Sequence, residues 1–176
     1  MGVLVNLKDC WRGKAARQSF GRWERRMGFT PGPDTRVSDL PDGVLSRLAE
    51  LDREATLALY DVVLGVRGWG PGERFTYLES RPKVEALDAF LFLADQVRFD
   101  LMRRLGWVQD VAAESFSMLD MAARSKDIQA SFSPEVPKLT RAYHRYEDLE
   151  RYLALEPAVV VRSLIPEALL AFRNRQ

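Results

Sequence analysis

The sequence predicts an all-α protein: a single domain built as an antiparallel helical bundle of five to six helices, with a basic helix at its amino terminus. Three observations lead there. Apolar residues recur at three- and four-residue spacing along most of the chain, the period of a helix with one buried face, and strand-like alternation is nearly absent. Gly and Pro cluster between the periodic stretches, where they act as stop signals. The connections so marked are short, which favours antiparallel neighbours. A chain of 176 residues, 47% of them hydrophobic, can bury a core without disulfide or metal support.

The first helix is expected from about Lys8 to Met27, with Ala16, Phe20, Trp23 and Met27 on one stripe and Arg12, Arg17, Arg22, Arg25 and Arg26 around it. Gly28 and the run Thr30-Pro31-Gly32-Pro33-Asp34 end it, and the linker to Pro41 reads as the most mobile segment. Residues 1–36 therefore form a basic amphipathic helix plus a Pro/Gly linker, and residues 37–176 the bundle core. A second helix is expected over Asp42 to Val66, burying Val44, Leu48, Leu51, Ala55, Leu59, Val62 and Val66. Gly65, Gly68, Gly70, Pro71 and Gly72 close it. These glycines follow a helix and precede a stretch, Phe75 to Leu78, expected to be extended, so they read as an inter-helix turn rather than a phosphate loop. Arg67 and Arg74 within the turn are free to sit over a ligand.

The central helix has Ser80 as N-cap, Pro82 in its first turn and Gly106 just past its end. A fourth helix is expected around Val111 to Arg124. Ser133-Pro134-Glu135 opens a fifth that runs to Leu155 with Val136, Leu139, Tyr143, Tyr146, Leu149 and Leu153 inward. Glu156-Pro157 breaks it, and a last helix, Ala158 to Arg173, is expected to be kinked or split at Pro166.

Composition excludes several functions. The net charge is +1, although the chain up to Arg36 holds eight Lys and Arg against three acids. Such a balance makes no general case for nucleic acid. Cys10 and His144 are the only residues of their types, which removes structural zinc sites and any cysteine pair within the chain. With no base close to Cys10 in sequence and His144 expected to face solvent, Cys-His catalysis is not expected either. A lone cysteine without a signal-like segment fits a cytoplasmic protein, and no apolar run approaches the ~20 residues that span a bilayer.

The central helix carries the most informative charges. At about 100° per residue, Leu87, Phe90, Leu91, Leu93, Ala94, Val97, Leu101, Met102 and Leu105 share one arc, with Glu85, Gln96, Asp100 and Arg103 opposite. Asp88, Asp95 and Arg98 fall inside the apolar arc, beside Phe92 and Phe99. Charge at such a place is costly unless it is paired or meets a partner. Asp95 and Arg98, three residues apart, can pair with each other, whereas Asp88 has no cation within a helical turn. These five residues are the candidate interface or buried polar network of a non-catalytic protein that associates with itself or with a protein partner, without a cofactor.

Two other chemistries are open. Glu50, Glu54 and Asp61 project close together on the preceding helix and face Glu85 and Asp88 if the two helices pack antiparallel. Glu50, Glu54, Glu85 and Asp88 would then suit Mg²⁺. Glu85-Ala86-Leu87-Asp88, followed by the apolar run Ala89 to Ala94, resembles the Glu-x-x-Asp motif of MazG-type and all-helical dUTPase nucleotide pyrophosphohydrolases. That resemblance implies magnesium ions activating water against a nucleoside triphosphate. The earlier helix departs from the family's Glu-Glu-x-x-Glu, offering Glu50-Leu51-Asp52-Arg53-Glu54 instead. The second chemistry is nucleic-acid contact through Arg22, Arg25 and Arg26, with Trp11, Phe20 and Trp23 interleaved as stacking groups.

Overall fold

The computed structural model describes residues 6–132 and 136–175. Among the described residues there are nine α-helices and no strand: α1 (Leu7–Phe20), α2 (Trp23–Met27), α3 (Asp42–Glu50), α4 (Arg53–Gly65), α5 (Ser80–Arg104), α6 (Met118–Ser131), α7 (Tyr146–Leu155), α8 (Pro157–Ser163) and α9 (Ile165–Arg173). The all-α expectation holds. The count exceeds the expected five to six because three of the expected helices are each divided in two.

Each division has a local cause. Leu51 adopts a left-handed backbone at φ 53°, a costly conformation for a side chain of this kind, and stops α3. Asp52 then restarts the chain as the N-cap of α4, its Oδ1 accepting from the Ala55 amide at 2.8 Å. Prolines near the first position of α8 and α9 separate the last three helices. Residues 21–22 part α1 from α2.

Two expected elements differ more. The stretch Phe75 to Leu78, expected to be extended, lies mostly within a short 3-10 helix, Gly72–Tyr77. The helix expected from Ser133 begins only at Tyr146; residues 133–135 lie outside the described residues. Residues 136–145 are not helical, and Val108 and Leu139 form an antiparallel bridge in which Thr140 N donates to Trp107 O at 2.7 Å. Pro137 explains the change, since it removes an amide and biases Val136 away from helix. Similarly, Val111 to Ser117 is not helical throughout: a 3-10 turn over Ala112–Ser115 precedes Ser117, which caps α6.

Helices α4 and α5 form the centre. Ala55, Ala58, Leu59, Val62, Val63 and Leu64 of α4 are wholly buried. The basic amino-terminal helices pack onto α4 and share its core. Ala16, Phe20, Trp23 and Met27, the expected stripe, are all buried, and Trp23 Nε1 donates to Ala58 O at 2.9 Å. Gly65 permits the close approach of α1 to α4, because a Cβ there would stand 2.7 Å from the Ser19 Cα. The linker is also tied down: Arg12 pairs with Asp34 at 2.7 Å, and Met118 N donates to Thr35 O at 2.9 Å. No helix among the described residues is long and apolar enough to cross a membrane.

Helix α5 departs from its expected orientation. Gln96 and Asp100, assigned to the solvent side, are each 1% exposed, whereas Leu87 and Leu91, assigned to the core, are 40% and 52% exposed. The carboxyl-terminal half of α5 is enclosed by α3, α4, α6 and α9, and its amino-terminal half emerges from them. One helical period thus serves two environments.

Candidate functional site

The side chains of Asp88, Leu91, Phe92, Asp95, Gln96 and Phe99 on α5 face Lys126 and Gln129 on α6 and Arg162 on α8 across an open groove of about 580 Å³. The size lies within the range of ligand and side-chain pockets. Its α5 wall carries the carboxylates and the opposite wall carries the cations. Four of the five candidate residues from the sequence line it. Phe92 and Phe99 are buried and build its apolar base.

Asp95 is half-buried and pairs with Arg162, whose Nη2 lies 3.0 Å from Oδ2. Burial pushes the Asp95 carboxyl above its ordinary pKa, and Arg162 and Arg98 pull it back. The expected Asp95–Arg98 bond is not made. Arg98 turns instead to α3, where its Nε donates to the Ala49 carbonyl at 3.3 Å and satisfies an end group of that helix. Burial lowers the Arg98 pKa, and Asp95 opposes the shift. The reading of Asp88 as a charge buried in an apolar arc is corrected: it is exposed, because this part of α5 emerges from the bundle, and it takes no part in an ion pair among the described residues. Lys126 across the groove is likewise exposed and without an ion pair there.

Along the exposed side of α5, Val84, Leu87 and Leu91 stand 59%, 40% and 52% exposed, with Tyr77 at 84% just before the helix. Scattered apolar residues are ordinary on a surface. Here Val84, Leu87 and Leu91 share one helix face with Asp88, and Leu91 lines the groove, which joins an apolar strip to a charge-segregated cleft.

The carboxylates expected to gather around Mg²⁺ do not converge. Glu50 binds Arg173 of α9 at 2.6 Å, Glu54 binds Arg26 of α2 at 2.6 Å, and Glu85 pairs with Arg81 on its own helix at 3.4 Å. Because Leu51 separates α3 from α4, Glu50 and Glu54 do not share a helix. No group of three His, Cys, Asp or Glu side chains among the described residues has the geometry to hold a metal ion.

The basic segment is also differently employed. Arg26 is nearly buried and donates Nε to Asp61 at 3.0 Å, Nη1 to Glu54 at 2.6 Å and Nη2 to Glu73 at 2.5 Å. Burial lowers its pKa, but the bonds to Glu73, Glu54 and Asp61 outweigh that and leave it above the usual arginine value. Arg22 also lies on Glu73, at 3.3 Å, and Arg25 is exposed beside them. The arginines are thus largely neutralised by acids, and Phe20 and Trp23 are inside the core. Only Trp11 remains partly open to stacking, at 48% exposure. Cys10 is exposed on α1, and the His144 ring leans on Glu167 at 3.4 Å. In the glycine-rich turn, Arg67 donates to the carbonyls of Val63 and Ala122 at 2.9 and 2.8 Å and lies over Trp69.

Three groups escaped the sequence reading. Asp100 is buried and accepts from both Arg103 and Arg104; Arg104 continues to Asp42 and to the carbonyls of Ser38 and Leu40, clasping the linker to α5. The Asp100–Arg104 spacing of four was a legible signal. Gln96 leaves both amide atoms buried without a partner. Glu114 Oε1 is in the same state, and burial pushes that carboxyl up to about 7, with Arg103 opposing and Asp110 and Asp100 adding to the rise. Comparison of the chain with family models, with curated proteins and with solved structures returned no match.

Proposed function

We propose that this protein acts by association rather than by catalysis, and that its contact surface is the exposed face of α5 together with the adjoining groove. The observation that carries this reading is the row Val84, Leu87 and Leu91, exposed on the longest helix and ending at Leu91 in a cleft with acids on one wall and bases on the other. An apolar strip flanked by charge is the anatomy of a protein contact: burial supplies affinity and the charges set orientation. A second copy of the chain is the partner that fits best, since each copy offers both signs of charge. The cytoplasm is the compartment consistent with the lone exposed Cys10.

The competing readings have less support. Hydrolysis of a nucleoside triphosphate needs Glu50, Glu54, Glu85 and Asp88 to gather, and three of them are engaged by separate arginines. Nucleic-acid contact needs arginines free of acids, and Arg26 holds three.

The test is molar mass in solution. The wild-type protein is expected to be a dimer at submillimolar concentration by light scattering after gel filtration. Replacing Leu87 and Leu91 together by Glu is expected to give a folded monomer, because two carboxylates enter the contact while the core is untouched. A wild-type monomer throughout that range overturns the proposal.

A further inference from the structure

Resting on the association reading, we infer that the second copy docks by a two-fold axis along the groove, so that Asp88 of each copy meets Lys126 of the other. A contact of this kind is self-complementary: whatever residue i touches across it, that residue's counterpart touches i in return. The groove has the required pattern. Asp88 and Asp95 stand on the α5 wall, and Lys126 and Arg162 stand on the walls made by α6 and α8. Asp95 and Arg162 already neutralise one another within the chain at 3.0 Å. Of the four charged side chains lining the groove, that leaves Asp88 and Lys126, both exposed and neither in an ion pair among the described residues.

An axis bisecting the line between Asp88 and Lys126 exchanges their places. It sets the acid of one copy over the base of the other, twice. The same rotation lays the exposed Leu91 strip of each copy toward the groove of the other, whose base is Phe92 and Phe99. Both ion pairs lie at the rim of the contact, so they set register and are sensitive to salt.

The experiment uses the full chain and two single variants, Asp88→Lys and Lys126→Asp. Both positions are exposed, and circular dichroism with a thermal melt verifies that each variant folds. In Asp88→Lys both rim contacts become Lys opposite Lys; in Lys126→Asp both become Asp opposite Asp. Each variant alone is expected to dimerise at least about tenfold more weakly than wild type by sedimentation equilibrium. Mixed in equal amounts the two are expected to associate with each other, since every Lys then meets an Asp, and the double variant is expected to dimerise like wild type. If wild type is a dimer and the mixture shows no such recovery, the two-fold pairing is wrong while association stands. If wild type is a monomer, the association reading itself fails.

Discussion

Glu114 provides a pH-dependence test of the packing between α5 and α6. Its carboxyl is mostly buried in the 3-10 turn that joins them, with Oε1 unpartnered and Oε2 3.5 Å from Arg103 Nε. Asp110 approaches the same nitrogen at 3.5 Å, and Asp100 holds the same guanidinium from below. One arginine thus faces three carboxyls, and Glu114, the buried one without a full set of bonds, keeps its proton up to about pH 7. In the unfolded chain it ionises near 4.5. A folded-state pKa above the unfolded one contributes stability that is fully present below pH ~4.5 and is lost as pH rises through ~7. The difference between the two values sets an upper bound of roughly 3 kcal/mol, and relaxation of the exposed Asp110 reduces it to about 1–2 kcal/mol. The perturbation is Glu114→Gln, which keeps the shape and removes the titration. Urea unfolding of both proteins at pH 5, 6, 7 and 8 measures the effect. Wild type is expected to lose about 1–2 kcal/mol more than the variant between pH 5 and 8. Asp61 and Asp95, also raised by burial, remain in both proteins and cancel in the difference. Parallel profiles for the two proteins would refute the assignment.

Two further outcomes test the interior. Arg26→Met is expected to destabilise by about 3–5 kcal/mol in denaturant unfolding, because Asp61, only 2% exposed, would be left with the Gly72 amide as its sole bond; adding Asp61→Asn should restore part of the loss. Gln96→Leu is expected to raise the melting temperature, corresponding to about 1–2 kcal/mol, by removing two buried polar atoms that bond to nothing; a fall would mean that the amide has a partner in the folded protein.

Helix content, the extent of α5 and the stripe Ala16, Phe20, Trp23 and Met27 were legible because they depend on periodicity and punctuation within a few residues. The breaks at Leu51 and Pro137 were legible in principle, from an N-cap aspartate and from a proline. Partner choice was not. Glu50 ends on Arg173 and Asp61 on Arg26, pairings across 123 and 35 residues that no local spacing encodes. Of the candidate site, Phe92, Phe99, Asp88 and Asp95 do line one groove, but the cations opposite them come from α6 and α8, and Arg98 leaves for α3.

By itself, then, the sequence determined which stretches are helical and roughly which residues each helix can bury. Only the tertiary structure decided which side of α5 meets the core. A helix repeats its faces regardless of what surrounds it, so burial follows from the neighbours: α5 is enclosed around Asp100 and open around Asp88. That is why the aspartate expected in water is clamped by two arginines, and the one expected in the core stands free at the edge of the groove.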